Sequence, residues 1–274
     1  MVINSTYFIC LFLTTKCSNI QPAAPFLFYK PATMRFLFII AFLATAPCYS
    51  QRIDSLNTAK NCMYMTADER EMIYEINRVR SNPASYLQYL TPLLDEIKKT
   101  IRQYGKGEKN YSLTFTTRTV NGKETQTIDT TWHYMNDEKR RALETLISDL
   151  KKSKKLSVLR PDSGIYAAAD KHARDQDKHD WTLMHTGSDG SNPWERITKF
   201  SPAMSFGNEN IAGSSAFIVT PRDIVLQLLI DAGIPGYGHR YNMLDPQWTH
   251  VACRGKKDKD AMNWWIQNFG TIRK

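Results

Sequence analysis

Residues 262–272 read Met-Asn-Trp-Trp-Ile-Gln-Asn-Phe-Gly-Thr-Ile, and Met262, Trp264 and Ile266 alternate there with Asn263, Trp265 and Gln267. A period of two marks a strand with one face buried. Residues 248–254 read as a second strand, and the charged stretch 255–260 as the turn that joins the two. Upstream the pattern is helical. Thr66-Ala67-Asp68-Glu69 is a capping box, and Met72, Ile73, Ile76 and Val79 recur at helical spacing to about Arg80. Asn82-Pro83 restarts a helix that continues through Tyr86, Leu87, Tyr89 and Leu90 toward Ile101, with Pro92 as a kink. Asn136 caps a further helix whose stripe is Leu143, Leu146, Ile147 and Leu150, closed by Lys151, Lys152, Lys154 and Lys155. Another spans 163–176 with Ile165, Ala168, Ala169 and His172 on one side. Asn192-Pro193-Trp194-Glu195 and Thr220-Pro221-Arg222-Asp223 open two more. Between the second and third helices, Leu113, Phe115 and Val120 lead to Asn121-Gly122 and then through Ile128 to Trp132, the signature of a β-hairpin. Helices first and strands last predict an α+β fold, with helices covering an antiparallel sheet.

The 274-residue chain is 42% hydrophobic and carries 36 basic against 27 acidic residues, a net charge of +9, with five cysteines. This composition excludes a disordered chain, a collagen-like repeat and a small disulfide scaffold. A mean hydropathy of -0.44 excludes a multi-span membrane protein.

Residues 34–50 have the order of a secretory signal: Met34 and Arg35, an apolar run over 36–46, then small residues ending at Ser50 before Gln51. The expected product is a secreted protein, extracellular or periplasmic, cleaved near Ser50/Gln51. Residues 1–33 hold no acidic residue and are read as an over-extended N-terminus, with Met34 as the start; a bipartite targeting segment is the alternative. Without 1–50 the chain has 33 basic and 27 acidic residues, a net +6, and the same +6 sits within 91–160, which holds 15 basic and 9 acidic residues. The remaining cysteines are Cys62 and Cys253. A single disulfide between them is the expectation for an exported chain, with two free buried thiols as the alternative.

Of the six histidines, His185 and His239 stand in Gly-flanked, loop-like settings: Met184-His185-Thr186-Gly187 and Gly236-Tyr237-Gly238-His239-Arg240. Glu209 lies between Asn208 and Asn210, and Asp231 ends the helix that leads into the second of these loops. Two neutral imidazoles with one or two carboxylates make a site for Zn²⁺ or a similar divalent ion. His172 on a helix face, His179 among charges and His250 beside Trp248 fit structural roles better. The chain has no His-Glu-x-x-His, no Gly-x-Ser-x-Gly, no phosphate-cradling Gly-rich loop and no Cys-x-x-Cys.

Six segments in order resemble the CAP superfamily of cysteine-rich secretory, antigen 5 and pathogenesis-related proteins, in its prokaryotic-type SCP form. They are 76–83, 167–176, Met184-His185-Thr186-Gly187-Ser188-Asp189-Gly190, Gly207-Asn208-Glu209-Asn210-Ile211-Ala212, Gly238-His239-Arg240-Tyr241-Asn242-Met243-Leu244 and Trp264-Trp265-Ile266-Gln267-Asn268-Phe269-Gly270. Together they cover roughly 66–90 and 158–272. The resemblance implies one domain over 51–274, an α-β-α sandwich around a central antiparallel sheet, interrupted by a basic hairpin-plus-helix insertion at about 91–160. It implies a cleft in which His185 and His239 hold a divalent metal, with Glu209 and Asp231 nearby, and it suggests a sterol, fatty acid or peptide as ligand. Asp231 departs from the longer Glu of many relatives, and Ala252-Cys253 stands where many have glycine.

The leading expectation is therefore a secreted binding protein. The rival is a metal-dependent extracellular hydrolase, peptidase or esterase, in which Glu209 or Asp231 activates a metal-bound water. A third reading uses 91–160 to adhere to an anionic glycan or membrane surface. No specific nucleic acid partner is expected.

Overall fold

The computed structural model describes residues 4–9, 53–120, 123–182, 184–216, 218–258, 260 and 262–272. The expected leader at 34–50, with Cys10, Cys17 and Cys48, lies outside them, as does the Asn121-Gly122 pair.

The central sheet is built from four strands: β4 (Arg160–Pro161), β5 (Met204–Ser214), β6 (His250–Lys257) and β7 (Asn263–Ile272), in the order β4-β6-β7-β5. The three long strands are antiparallel, and β4 adds a two-residue parallel rung on the outer side of β6. This is the expected α+β sandwich. Helices α4 (Ser163–Lys178) and α5 (Pro193–Phe200) pack on one face of the sheet, while α1 (Ala67–Ser81) and α6 (Pro221–Ile230) pack on the other. Both faces being covered, residues 265–270 of β7 are all buried, so its alternation records two different helical layers and not one wet and one dry face. Ile211 and Ile266, opposite each other on β5 and β7, join Ala169 and Ala173 of α4 and the stacked Trp181–Trp264 pair.

The capping boxes at Thr66, Asn192 and Thr220 all form, each with reciprocal side-chain and backbone bonds. Asn136 does not cap its helix. The N-cap of α3 (Met135–Lys152) is Tyr134, and the Asn136 amide reaches back to the Gly105 carbonyl at 3.2 Å, tying α3 to the end of α2 (Leu87–Tyr104). Pro92 lies inside α2 without ending it.

The expected hairpin is β2 (Lys109–Val120) with β3 (Lys123–Tyr134), paired so that Val120 faces Lys123; β1 (Asn4–Ile9) lies antiparallel along β2. The hairpin and α3 lie within the basic stretch 91–160, yet α3 is no surface addition. Ala142, Leu143, Leu146 and Leu150 are buried in the main core with Met72, Ile76 and Leu229.

β5 and the last residues of β6 are strand that the sequence pattern did not show. β5 carries Gly207 and Gly213 among asparagines, a composition with weak strand preference. Tertiary packing explains both glycines: a Cβ on Gly207 would come within 2.7 Å of Ile197, and one on Gly213 within 2.7 Å of the Trp264 ring. Similarly, Gly255 is not a turn residue; it continues β6 because its bare backbone lets the Trp265 ring lie against it.

The expected Cys62–Cys253 bridge does not form: both are free thiols. Cys253 sits in the middle of β6 with no exposed surface, where burial and the Glu69 carboxylate push its thiol well up, and it packs as a small hydrophobe. Cys62 lies half-buried in the turn before α1, against the same core.

Since Leu146 has no exposed surface, Leu146→Ala should cost about 2–5 kcal/mol in urea unfolding, as for other fully buried leucines. A loss under about 1 kcal/mol would mean that α3 is not part of the core.

Candidate functional site

Among the described residues β5 is an edge strand, paired on one side, with β7. Successive strand residues point to opposite faces, so Glu209 turns toward α4 and α5 while Asn210 turns toward α6 and α7 (Gly238–Met243). The four predicted residues assemble around this edge as two His–carboxylate dyads.

The first dyad is His185 with Glu209, joined from Nδ1 to Oε1 at 3.1 Å. The Glu209 carboxylate is buried at the centre of a network. Arg196, itself fully buried, donates from Nη2 to both of its oxygens, at 3.2 and 3.1 Å, and to the His185 carbonyl at 2.9 Å. His172 places Nε2 at 3.6 Å from Oε1. Burial opposes the charge on Glu209, but the His185 hydrogen bond together with the positive field of Arg196 holds the carboxyl below the usual range. For His172, burial dominates and keeps the imidazole neutral by lowering its pKa.

His185 lies in a loop, as expected. Three residues before it and beside it take left-handed backbone without being glycine: Asp180, Trp181 and Met184, with φ of 51°, 57° and 56°. Such conformations persist only where surrounding contacts impose them.

The second dyad is His239 with Asp231. Asp231 is the left-handed C-cap of α6, φ 55°, a position that a short polar side chain tolerates. Its Oδ1 meets His239 Nδ1 at 2.7 Å, and its Oδ2 accepts from the His239 backbone N–H at 2.9 Å. His239 does not lie in an open loop but in the first turn of the short helix α7. The neighbouring Arg240 anchors that helix. Fully buried, its guanidinium bonds the Leu229 and Ile230 carbonyls of α6 and the Ala142 carbonyl and Asp149 carboxylate of α3. The insertion helix thus buttresses the segment that carries His239. Asn210 ties the same segment to β5 by donating to the His239 carbonyl at 3.2 Å, and it accepts from Asn242 at 2.8 Å.

Nδ1 of each imidazole faces a carboxylate. A carboxylate behind a ligating histidine is the arrangement that fixes its tautomer and raises its basicity. Two imidazoles, each backed by a carboxylate, are of the donor types that a divalent ion accepts. Among the described residues, no group of three or more His, Cys, Asp or Glu side chains is arranged to hold a metal ion. An open groove of about 600 Å³ runs beside α4, lined by Tyr166, Lys171, Asp175, Ser188 and Phe200 among others, and by none of the four dyad residues.

Sequence reading missed His172, Arg196 and Gln176. His172 and Gln176 are one helical turn apart on the sheet-facing side of α4, and that spacing of two polar residues on an otherwise apolar, Ala-rich face was the available signal.

The chain matches the model of the cysteine-rich secretory protein family, CAP, over residues 73–269. It is similar to an outer surface protein of Borrelia burgdorferi at 20% identity, with 50% of this chain and 94% of that chain covered and a TM-score of 0.37. No curated protein matches it.

His172 and Glu209 both bind fewer protons folded than unfolded, so both make stability rise with pH. The His172 contribution is full above the ordinary histidine pKa of about 6.5 and is lost as pH falls from there to its lower native value; the Glu209 contribution is lost below about 4.3. The melting temperature should fall between pH 7 and 5, and less steeply in His172→Gln. Equal slopes for the two proteins would refute this assignment of the pH dependence.

Proposed function

Because the chain belongs to the CAP family of cysteine-rich secretory proteins, we propose that it acts outside the cytoplasm as a binding module in which His185 and His239 hold one divalent ion, with zinc the best match to the donors. The observation that carries this reading is the state of the two acids. Both oxygens of Glu209 are engaged, by Arg196 and His185, and both oxygens of Asp231 are engaged by His239. Each carboxylate is spent on orienting an imidazole. A general base for the hydrolase reading would have to take a proton from a water while these hydrogen bonds hold its carboxylate in place.

The ion, when bound, supplies a Lewis-acidic position at which an oxygen or nitrogen of a ligand can be captured. The chain's own residues set the imidazoles. Arg196 fixes Glu209 and the His185 carbonyl, and Arg240 with Asn210 fixes the His239 backbone. Of the ligand classes that the family resemblance suggests, sterol, fatty acid or peptide, the last two present a carboxylate or carbonyl to such a position. The localisation reading rests on the composition of 34–50.

Calorimetric titration of the purified chain with Zn²⁺ should give one site per chain, with affinity reduced at least a hundredfold by His185→Ala and by His239→Ala. Retention of metal by both variants would sink the proposal. Turnover of peptide or ester substrates by the metal-loaded chain, abolished in the same variants, would favour the hydrolase.

A further inference from the structure

We infer that His172 and Gln176 are positioning residues for the metal site: from one face of α4 they clamp the Met184 carbonyl and so set the backbone that presents His185. This rests on the metal reading above.

Three anchors converge on residues 184–185. The Met184 carbonyl accepts from His172 Nε2 at 2.7 Å and from Gln176 Nε2. The His185 carbonyl accepts from Arg196 of α5, and the His185 ring meets Glu209 of β5. The peptide on each side of His185, and the side chain itself, is thereby fixed from a different element. The clamp acts at the residue that needs it, since Met184 is the left-handed non-glycine residue directly before His185. A carbonyl can only accept, so the short contact to Met184 is a hydrogen bond in the tautomer with the proton on Nε2, with the Gln176 amide 3.2 Å from the same nitrogen. Its Nε2 is thus committed within the protein, and full burial keeps His172 itself from serving as a ligand. The imidazole also keeps a cost that packing alone would not explain: its Nδ1 is buried with no partner among the described residues. An apolar side chain would fill the same space beside Ala169 and Ala173 without that cost.

The geometry separates this role from plain core packing. Removing the donor while keeping the volume should leave the fold standing and loosen the loop. The variants are His172→Leu and Gln176→Met, which lose the donor, and His172→Gln, whose amide can return one near the Nε2 position. Zinc titration of the full chain should show affinity reduced about ten- to a hundredfold in the first two, the range for groups that support a ligand from behind, and restored to within about threefold in His172→Gln. Hydrogen exchange of the metal-free chain should show the amides of 184–188 exchanging faster in His172→Leu and Gln176→Met, with α1 and β7 unchanged. Native zinc affinity and native exchange in both folded variants would overturn the inference. If the unaltered chain takes up no zinc, the metal reading fails. The clamp is then judged on exchange alone: faster exchange confined to 184–188 supports it, and unchanged exchange refutes it.

Discussion

The Glu209 carboxylate is the charge around which one half of the molecule is arranged. Burying an anion without compensation costs more than a domain of this size can sustain, so a buried carboxylate requires fixed partners. Glu209 obtains them from three separate segments: the guanidinium of Arg196 on α5, the ring of His185 in the preceding loop, and the nearby ring of His172 on α4. Those segments cannot drift apart without leaving a charge unpaired. The constraint accounts for the burial of Arg196 on the sheet-packed side of α5, next to Ile197, and it ties down a loop with three left-handed non-glycine residues. Replacing the pair by apolar residues could serve stability equally well, so its presence is better understood as a device that orients His185.

The other side of β5 follows the same logic with different chemistry. There the anchor is Arg240, whose guanidinium is spread over backbone carbonyls of α6 and α3 and the Asp149 side chain. It acts as a hub that joins the insertion helix to α7. His239 is thus oriented by Asp231 through its ring and by Asn210 through its backbone, while the position of its helix depends on α3. The segment 91–160 stands apart in charge, yet its helix supplies core to the domain and support to the site. Its Lys151 and Lys152 complete the last turn of α3, where cations complement the helix dipole.

Much of this was legible because local rules and tertiary packing agreed. The capping boxes, the Pro-initiated helices and the two terminal strands announce themselves through side chains that act within four residues of their own position. His185, His239, Glu209 and Asp231 could be named because loop settings and the family resemblance pointed to them. What was hidden depends on contacts between distant segments. β5 carries no strand signature because its glycines answer to Ile197 and Trp264, which lie outside the strand. Gly255 reads as a turn because its role is to admit Trp265. His172 reads as an ordinary helix residue because its two partners, Met184 and Glu209, lie 12 and 37 positions later. The disulfide expectation failed for a similar reason: cysteine count and an exported context speak to pairing, whereas Cys253 is a buried free thiol packed among apolar side chains.

The sequence by itself determined the class of fold, the order of its helices and terminal strands and the family, and it named His185, His239, Glu209 and Asp231 as candidates without pairing them, since each of these is carried by local periodicity, capping or short motifs. Only the tertiary structure decided which nitrogen of each imidazole faces its acid, that both acids are spent on orientation, and that α4, α5 and the insertion helix hold the two histidines in place. Those outcomes turn on burying charges and unpaired polar groups, and burial is a property of the packed chain, not of any stretch of it.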